Sequence, residues 1–135
     1  MSLDYIPTGS CREDVYIRRD IIVKYLSPLI GKSIPCNAFN GKDVEILFHS
    51  VDETATRASQ RYESTLAALR LEEALRHSSF VKIDLPNHKQ KKTMYFSKMH
   101  ELVATLENLG DVKIIVGERN NKRIIHYCIT KKKKE

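Results

Sequence analysis

The longest amphipathic stretch of the chain runs from His49 to Phe80. Its apolar residues recur at steps of three and four while polar residues occupy the opposite side, which is typical of a helix that lies on a sheet. Ser50 and Glu53 have the spacing of a capping box, in which each side chain bonds a backbone N–H group left unpaired at a helix start. The pattern therefore predicts one long helix that begins near Val51.

A second helix is predicted closer to the N-terminus, after an irregular lead-in over residues 1–9. Ser10 and Glu13 repeat the capping-box spacing, and a helical stripe of apolar residues follows them. The Ser27-Pro28 pair predicts a kink or a restart of this helix, because proline removes a backbone donor and crowds the preceding turn.

Strand patterns occur on both sides of the long helix. Residues 33–39 and 42–48 flank Asn40-Gly41, a strong hairpin signal because both residues accept the positive φ of a type I′ turn. Residues 80–85 alternate as a further short strand. The first hairpin is therefore expected to lead directly into the long helix.

The remaining third of the chain is less regular. Residues 95–109 fit a helix or a long strand, and their periodicity favours the helix. Residues 113–118 and 123–130 predict a second hairpin across Asn120-Asn121, because asparagine tolerates left-handed conformations. The order of these elements predicts an α+β domain with helices packed on one side of an antiparallel sheet.

The last predicted strand carries polar side chains among apolar ones. Strict alternation divides a strand into two faces. It places His126 and Thr130 on one face, and Ile125, Tyr127 and Ile129 on the other. A histidine and a hydroxyl group are therefore predicted to share one surface of the sheet.

Length and charge add to this prediction. A chain of 135 residues is long enough for one compact core and too short for two ordinary domains. We therefore predict a single domain over residues 10–130. The net charge of +6 includes the run Lys131–Lys134. Residues 131–135 form either a basic tail that attracts nucleic acid or a solvated chain end.

The expected compartment and cofactors follow from sequence features that are absent. No stretch resembles a signal peptide or approaches the roughly 18 apolar residues of a membrane span. We expect a soluble, cytoplasmic protein without a membrane partner. Cys11, Cys36 and Cys128 are odd in number and widely spaced, which argues against a disulfide framework and a structural zinc site. We therefore expect buried or surface thiols, with no metal and no other cofactor.

A resemblance to a known family rests on three segments: ETATRAS at 53–59, TLAALRLEEAL at 65–75 and VKIIVGERNNKRIIHYCIT at 112–130. With the order of elements, they make the chain resemble phage-associated members of the barnase, EndoU, colicin and RelE-like nuclease fold. The chain also resembles related domains of large polyvalent proteins carried by phages and conjugative elements. The resemblance covers about residues 34–130. It implies a small α+β domain whose active members cleave RNA without a metal, with catalytic groups on the sheet face and near the first strand-to-helix junction.

RNA cleavage without a metal needs a base, an acid and cations that stabilise the charged transition state. His126 is a candidate base or acid because the ordinary pKa of histidine lies near neutrality, and His49 is a second candidate at the strand-to-helix junction. Arg57 and Arg61, one turn apart, form a candidate cationic clamp. The candidate catalytic residues are His126, His49 and Arg57, and the candidate substrate-binding residues are Arg61, Thr130, Arg119, Lys122 and Arg123.

Each candidate also has a structural interpretation. Glu53 and Arg57, four residues apart, have the spacing of a surface ion pair. A histidine such as His126 in an apolar strand is more often a hydrogen-bonded structural residue. Ser50 is most simply a helix cap, and Tyr127 is assigned to the core.

Functions of three different classes are consistent with these features. The first is a metal-independent ribonuclease of a phage or mobile element. The second is a non-catalytic module that holds nucleic acid through the basic loop of residues 87–92 and the lysine tail. The third is a protein-interaction domain that uses an exposed sheet edge. RNA and a protein are therefore the expected partners.

Overall fold

The computed structural model describes residues 5–84, 96–119 and 121–132 of the chain. These residues form an α+β domain in which helices pack on a curled, six-stranded sheet. The helices are α1 (Arg12–Leu26), α2 (Phe48–Ala58), α3 (Tyr62–Leu69) and α4 (Leu71–Arg76). The strands are β1 (Ser33–Pro35), β2 (Asp43–Glu45), β3 (Ser79–Asp84), β4 (Lys98–Leu106), β5 (Gly110–Glu118) and β6 (Ile124–Lys131).

The sheet is mixed, so the prediction of a purely antiparallel sheet is wrong. Its strand order is β1-β2-β6-β5-β4-β3, and β2 runs parallel to β6 through the pair Glu45 and Ile125. The other neighbouring strands are antiparallel. A parallel pair needs a long crossover connection, and here α2 to α4 and β3 to β5 lie between the two strands in the chain. Local pattern does not reveal such a long-range pairing.

The predicted long helix is divided into α2, α3 and α4, so the prediction of one continuous helix is wrong. Arg61, between α2 and α3, has an extended backbone. Tertiary hydrogen bonds hold this break: the Arg18 Nε donates to the Ser59 carbonyl at 2.8 Å, and the Thr65 hydroxyl donates to the Ala58 carbonyl at 3.1 Å. Arg70 separates α3 from α4. Amphipathic spacing continues across both breaks and therefore conceals them.

Side chains of α2 and α3 cover the part of β6 that β2 leaves unpaired. The Ser50 hydroxyl donates to the carbonyl of His126, and the Ser64 Oγ accepts the Lys131 N–H at 3.0 Å. The Arg61 guanidinium donates to the Lys131 carbonyl. Because buried backbone groups need partners, these bonds fix the helices against the strand edge. Lys131 is therefore the last residue of β6 and not the first residue of a tail.

Loss of the Ser50 hydroxyl is expected to destabilise the domain. Ser50→Ala leaves the buried His126 carbonyl without this donor, at a cost of about 1–3 kcal/mol in the free energy of unfolding. Ser27→Ala is the matched control, because the Ser27 hydroxyl also bonds a backbone carbonyl but is exposed. Urea unfolding followed by circular dichroism measures both variants. Equal midpoints for the two variants would contradict the role of Ser50.

Residues 98–106 form the strand β4, so the helix favoured by their periodicity is wrong. The strand pairs with β5 along its whole length, from Lys98 with Glu118 to Leu106 with Gly110. Met99 and His100 are both buried, which means that both faces of the strand are partly covered. Apolar residues on both faces weaken the alternation expected of a half-buried strand and resemble helical spacing.

The turn chemistry of the first hairpin is confirmed, although its strands are shorter than predicted. Asn40 and Gly41 have φ angles of 57° and 86°. Between β1 and β2 the chain also forms the short 3₁₀ helix Asn37–Phe39. Asn37 donates a hydrogen bond to the Ser78 carbonyl at 3.0 Å, and this tertiary contact holds the loop against the start of β3. The strands consequently end before they reach the turn.

A β-bulge at Tyr127 overturns the predicted faces of the last strand. His126 pairs with Val116 and Cys128 pairs with Ile115, so Tyr127 is an extra residue. Such a bulge shifts the alternation by one position. Consequently, His126 lies on the helix-facing side, and Thr130 does not share its face. Ile129 likewise belongs to the helix-facing core, whereas Ile125, Tyr127 and Cys128 form a second cluster with Phe96 and Met99.

The N-terminal part agrees with the prediction in outline. The helix α1 begins at Arg12 after Cys11, which makes no side-chain cap, so the predicted capping box of Ser10 and Glu13 does not form. The Gly9 N–H instead donates to the Asp14 carboxylate at 3.1 Å. After α1 the chain restarts as the 3₁₀ helix Ser27–Leu29, which confirms the effect predicted for Pro28.

Some predicted features fall outside the described residues. These are the lead-in up to residue 4, the basic loop at 87–92, Asn120 of the second hairpin turn and the tail beyond residue 132. Of the helices that the structure describes, none has the length and apolar character that a membrane crossing requires.

Candidate functional site

Three polar side chains form a stripe along α2. His49, Glu53 and Arg57 are four residues apart, a spacing that places side chains on one face of a helix. This face points toward Tyr127 of β6. The Glu53 carboxylate, only 4% exposed, lies 3.5 Å from the Arg57 Nε. The Arg57 guanidinium donates to the Tyr127 hydroxyl at 3.3 Å, and its central carbon lies 5.2 Å from the centre of the Tyr127 ring.

Phe96, just before β4, connects this stripe to the end of β5. Its ring centre lies 6.3 Å from that of His49 and 6.5 Å from that of Tyr127. The Arg119 guanidinium lies over the same ring at 5.8 Å. We refer to the assembly of these six residues as the polar cluster: His49, Glu53, Arg57, Phe96, Arg119 and Tyr127.

Arg119 is the cation of the cluster that forms no ion pair among the described residues, although its charge helps the Arg123 hydrogen bond to lower the pKa of Glu45. Its Nε is buried and makes no hydrogen bond within the described part of the chain. The ion pairs found among the described residues leave it without a carboxylate partner. Arg123 differs, because it forms two bonds of 2.6 and 2.8 Å to the Glu45 carboxylate. A guanidinium without a carboxylate is suited to bind a phosphate.

The protonation states of the cluster follow from burial and nearby charge. Burial lowers the pKa of His49, Arg119 lowers it further, and Glu53 opposes this change. His49 is therefore neutral at pH 7 and able to accept a proton. Burial also raises the pKa of Tyr127 to about 12, so its hydroxyl remains protonated. The cluster thus combines a proton acceptor with two guanidinium groups.

His126 lies on the helix-facing side of β6 and is completely buried. Neither ring nitrogen has a hydrogen-bond partner among the described residues. Burial lowers the pKa of His126 to about 3 and His49 adds to this change, whereas a contact with the Cys128 backbone, too weak in geometry to count as a hydrogen bond, opposes it. The ring is therefore neutral at pH 7 and out of contact with solvent. This placement argues against the predicted role of His126 as an acid or base.

Two of the other predicted substrate-binding residues meet the polar cluster through the backbone of Arg119, whose N–H donates to the Arg123 carbonyl at 3.0 Å and whose carbonyl accepts the Lys122 N–H at 2.8 Å. Arg61 donates to the Lys131 carbonyl and to Ser64. Thr130 lies opposite Lys113 on β5. Lys122 is an exposed turn residue with a φ of 65°. The guanidinium groups of Arg61 and Arg123 are therefore engaged in bonds within the chain. Of the predicted residues, the cluster therefore contains His49, Arg57 and Arg119.

Sequence reasoning missed three members of the cluster. Glu53 was interpreted as part of a surface ion pair, and Tyr127 as a core residue. The regular spacing of His49, Glu53 and Arg57 was a signal that could have identified the carboxylate. Phe96 and Tyr127 had no comparable signal, because their meeting depends on the bulge in β6.

The three cysteines of the chain are free thiols outside the polar cluster. Burial raises the pKa of the Cys128 thiol to about 11, so the thiol stays protonated at neutral pH. Cys36 is also buried, and Cys11 is exposed; all three thiols are free. Over the described ranges, no group of three or more histidine, cysteine, aspartate or glutamate side chains is arranged to hold a metal ion.

Comparison with known proteins identifies the family of the chain. Neither the curated proteins nor the solved structures contain a match to this sequence. A family model does match, and its range extends from α1 to the bulge residue of β6. On the match of residues 13–127 to that model, the chain belongs to the family described as large polyvalent protein-associated domain 3.

Proposed function

We propose that this domain has a barnase/RelE-like nuclease fold and cleaves RNA without a metal ion at the polar cluster. The observation that carries the proposal is the Arg119 guanidinium. It forms no ion pair with a carboxylate among the described residues, and its charge lowers the pKa of His49, which is neutral. Arg57 adds a second cation beside the same aromatic rings. A phosphodiester needs this combination of a base and cations for attack by its own 2′-hydroxyl group.

In the proposed reaction, His49 takes the proton of the ribose 2′-hydroxyl. The 2′ oxygen then forms a bond to phosphorus, and the bond from phosphorus to the 5′ oxygen breaks. The leaving oxygen takes a proton from water, and protonated His49 returns its proton to the resulting hydroxide. Arg57 and Arg119 stabilise the negative charge on the phosphoryl oxygens. The products are a 2′,3′-cyclic phosphate and a free 5′-hydroxyl group.

The remaining residues of the cluster keep these groups in place. Glu53 and Tyr127 both contact the Arg57 guanidinium, which restricts its orientation. Glu53 also favours the protonated form of His49. A base is more effective when the charge that it acquires is stabilised nearby.

The test compares RNA cleavage by the unmodified domain and by two arginine variants in excess EDTA. Arg119→Gln is expected to lower the cleavage rate by about 10²–10³-fold, as for the loss of one group that stabilises transition-state charge. Arg76→Gln is the matched control, because it removes the same charge from an arginine of α4 that is already paired with Glu72. Mass spectrometry of the products identifies the cyclic phosphate. Absence of cleavage by the unmodified domain, or equal losses in both variants, would contradict the proposal.

A nucleic-acid-binding module without turnover is the second candidate function. The net charge of +6 favours it, because binding of phosphates by lysine and arginine releases counterions. This function predicts RNA binding that weakens steeply with salt while the RNA stays intact. Fluorescence anisotropy at two salt concentrations, followed by gel analysis of the same RNA, distinguishes it from cleavage.

A further inference from the structure

Phe96 lies where three side chains of the polar cluster meet. It is 3% exposed and contacts the rings of His49 and Tyr127 and the guanidinium of Arg119. His49 belongs to α2, Arg119 follows β5, and Tyr127 belongs to β6. One aromatic ring therefore joins side chains from three separate parts of the fold.

The position of the Phe96 ring depends on Gly117 of β5. A Cβ atom at position 117 would lie 2.5 Å from the ring, closer than real Cβ contacts allow. Gly117 lies within β5, so the Phe96 ring rests on the backbone of this strand. A side chain at this position would displace the ring or the strand. The absence of a side chain at Gly117 thus makes room for Phe96.

We propose that Phe96, seated on Gly117, is a positioning residue that holds Arg119 beside His49. Its role in catalysis rests on the proposed function, whereas the arrangement of the three side chains does not. An arginine over an aromatic face is attracted by the ring quadrupole, which restrains an otherwise flexible side chain. The same ring excludes water from one side of His49.

The charged and titratable groups that face His49 determine how its pKa would respond to a displacement of the Phe96 ring. Arg119 acts to lower the pKa of His49, and Glu53 acts to raise it. The buried ring of His126 also interacts with His49 but is itself neutral at pH 7. Movement of Phe96 admits water and releases Arg119. Both changes raise the pKa of His49, because burial and Arg119 each lower it in the intact domain.

The experiment is an NMR titration of His49 in the complete chain. In Phe96→Leu, we expect the pKa of His49 to rise toward its ordinary value of 6.5. The matched control is Met99→Leu, which alters another buried residue of the same apolar cluster. In this control, the pKa of His49 is expected to stay at its wild-type value. An unchanged pKa of His49 in folded Phe96→Leu would overturn the inference.

Two further measurements keep the test independent of a single variant. Gly117→Ala retains the phenylalanine but displaces it, so the pKa of His49 is expected to rise here as well. In the unmodified chain, the ring current of Phe96 should move the Arg119 side-chain proton signals upfield. Absence of this upfield shift would overturn the inference even if neither variant folds.

A double substitution separates the two effects of the ring. In an Arg119→Met background, the change in His49 pKa caused by Phe96→Leu is expected to be smaller, because the guanidinium is already absent. An equal change in both backgrounds would contradict the claim that Phe96 acts through Arg119. None of these titrations requires RNA. A failure of the unmodified chain to cleave RNA would therefore contradict the proposed function while leaving the positioning role intact.

Discussion

Replacement of His126 by leucine is expected to remove a large part of the acid sensitivity of this domain. The His126 ring is completely buried and has no hydrogen-bond partner among the described residues. Burial lowers its pKa to about 3 in the folded state, whereas an unfolded chain restores the ordinary value of 6.5. Between these values the unfolded state binds a proton that the folded state does not. The free energy of unfolding therefore falls as pH decreases through this window.

The expected effect is large for a single side chain. The difference between 6.5 and about 3 corresponds to roughly 5 kcal/mol lost between pH 7 and pH 3. Above pH 6.5 both states are neutral at this residue, so its contribution no longer changes. Leucine has a similar volume and no titratable group. It also removes two buried nitrogens that have no hydrogen-bond partner in the described part, so stability at pH 7 is expected to be preserved or increased.

Urea unfolding of both proteins at several pH values between 3 and 7 measures this prediction. His77→Leu is the matched control, because it removes a histidine that is exposed. The control is expected to retain the wild-type loss of stability in acid. If the domain cleaves RNA as proposed, His126→Leu is expected to cleave it at the wild-type rate at pH 7. The burial argument fails if His126→Leu and the wild type lose stability in parallel.

The second large effect is expected at His49. If His49 is the base of an RNA-cleaving site, His49→Ala should lower the cleavage rate by about 10²–10⁴-fold, the usual contribution of a general base. His77→Ala, which also removes one histidine, is expected to leave the rate unchanged. The fold of each variant is checked by its NMR spectrum.

The pH dependence of cleavage provides a further readout of the same prediction. A base must be neutral to accept a proton, so the rate should rise with pH and level off above the pKa of His49. Because burial and Arg119 lower this pKa, the plateau should begin below pH 6.5. Arg119→Gln should move the start of the plateau to higher pH. A wild-type rate in His49→Ala, or a rate that falls with rising pH, would exclude His49 as the base.

Local chemistry made several features predictable. Asn40-Gly41 indicated positive φ angles, and Pro28 indicated a restart of the helix, because these residues restrict the backbone in any context. The spacing of Ser50 and Glu53 predicted a helix start near Val51, whereas α2 begins at Phe48 and the Ser50 hydroxyl accepts the Leu47 N–H from within the first turn. The α+β class followed from the order of such elements. The candidate list included His49, Arg57 and Arg119 as separate residues, since side-chain chemistry is visible in the sequence.

Burial explains most of what local pattern missed. The ring of His126, a candidate acid or base in the sequence, lies inside the helix-facing core. The β4 strand resembled a helix because residues on both of its faces are buried, and the long helix was divided by bonds such as that from Arg18 to Ser59. These outcomes depend on contacts between distant parts of the chain, which a local periodicity does not contain.

The sequence by itself determined the turns, the approximate elements and the chemical groups available to a site. Only the tertiary structure decided which groups meet. The bulge at Tyr127 directs that ring toward Arg57, and the space above Gly117 admits Phe96 beside His49 and Arg119. Backbone geometry follows from neighbouring residues, whereas the meeting of side chains depends on strand register and packing across the whole domain.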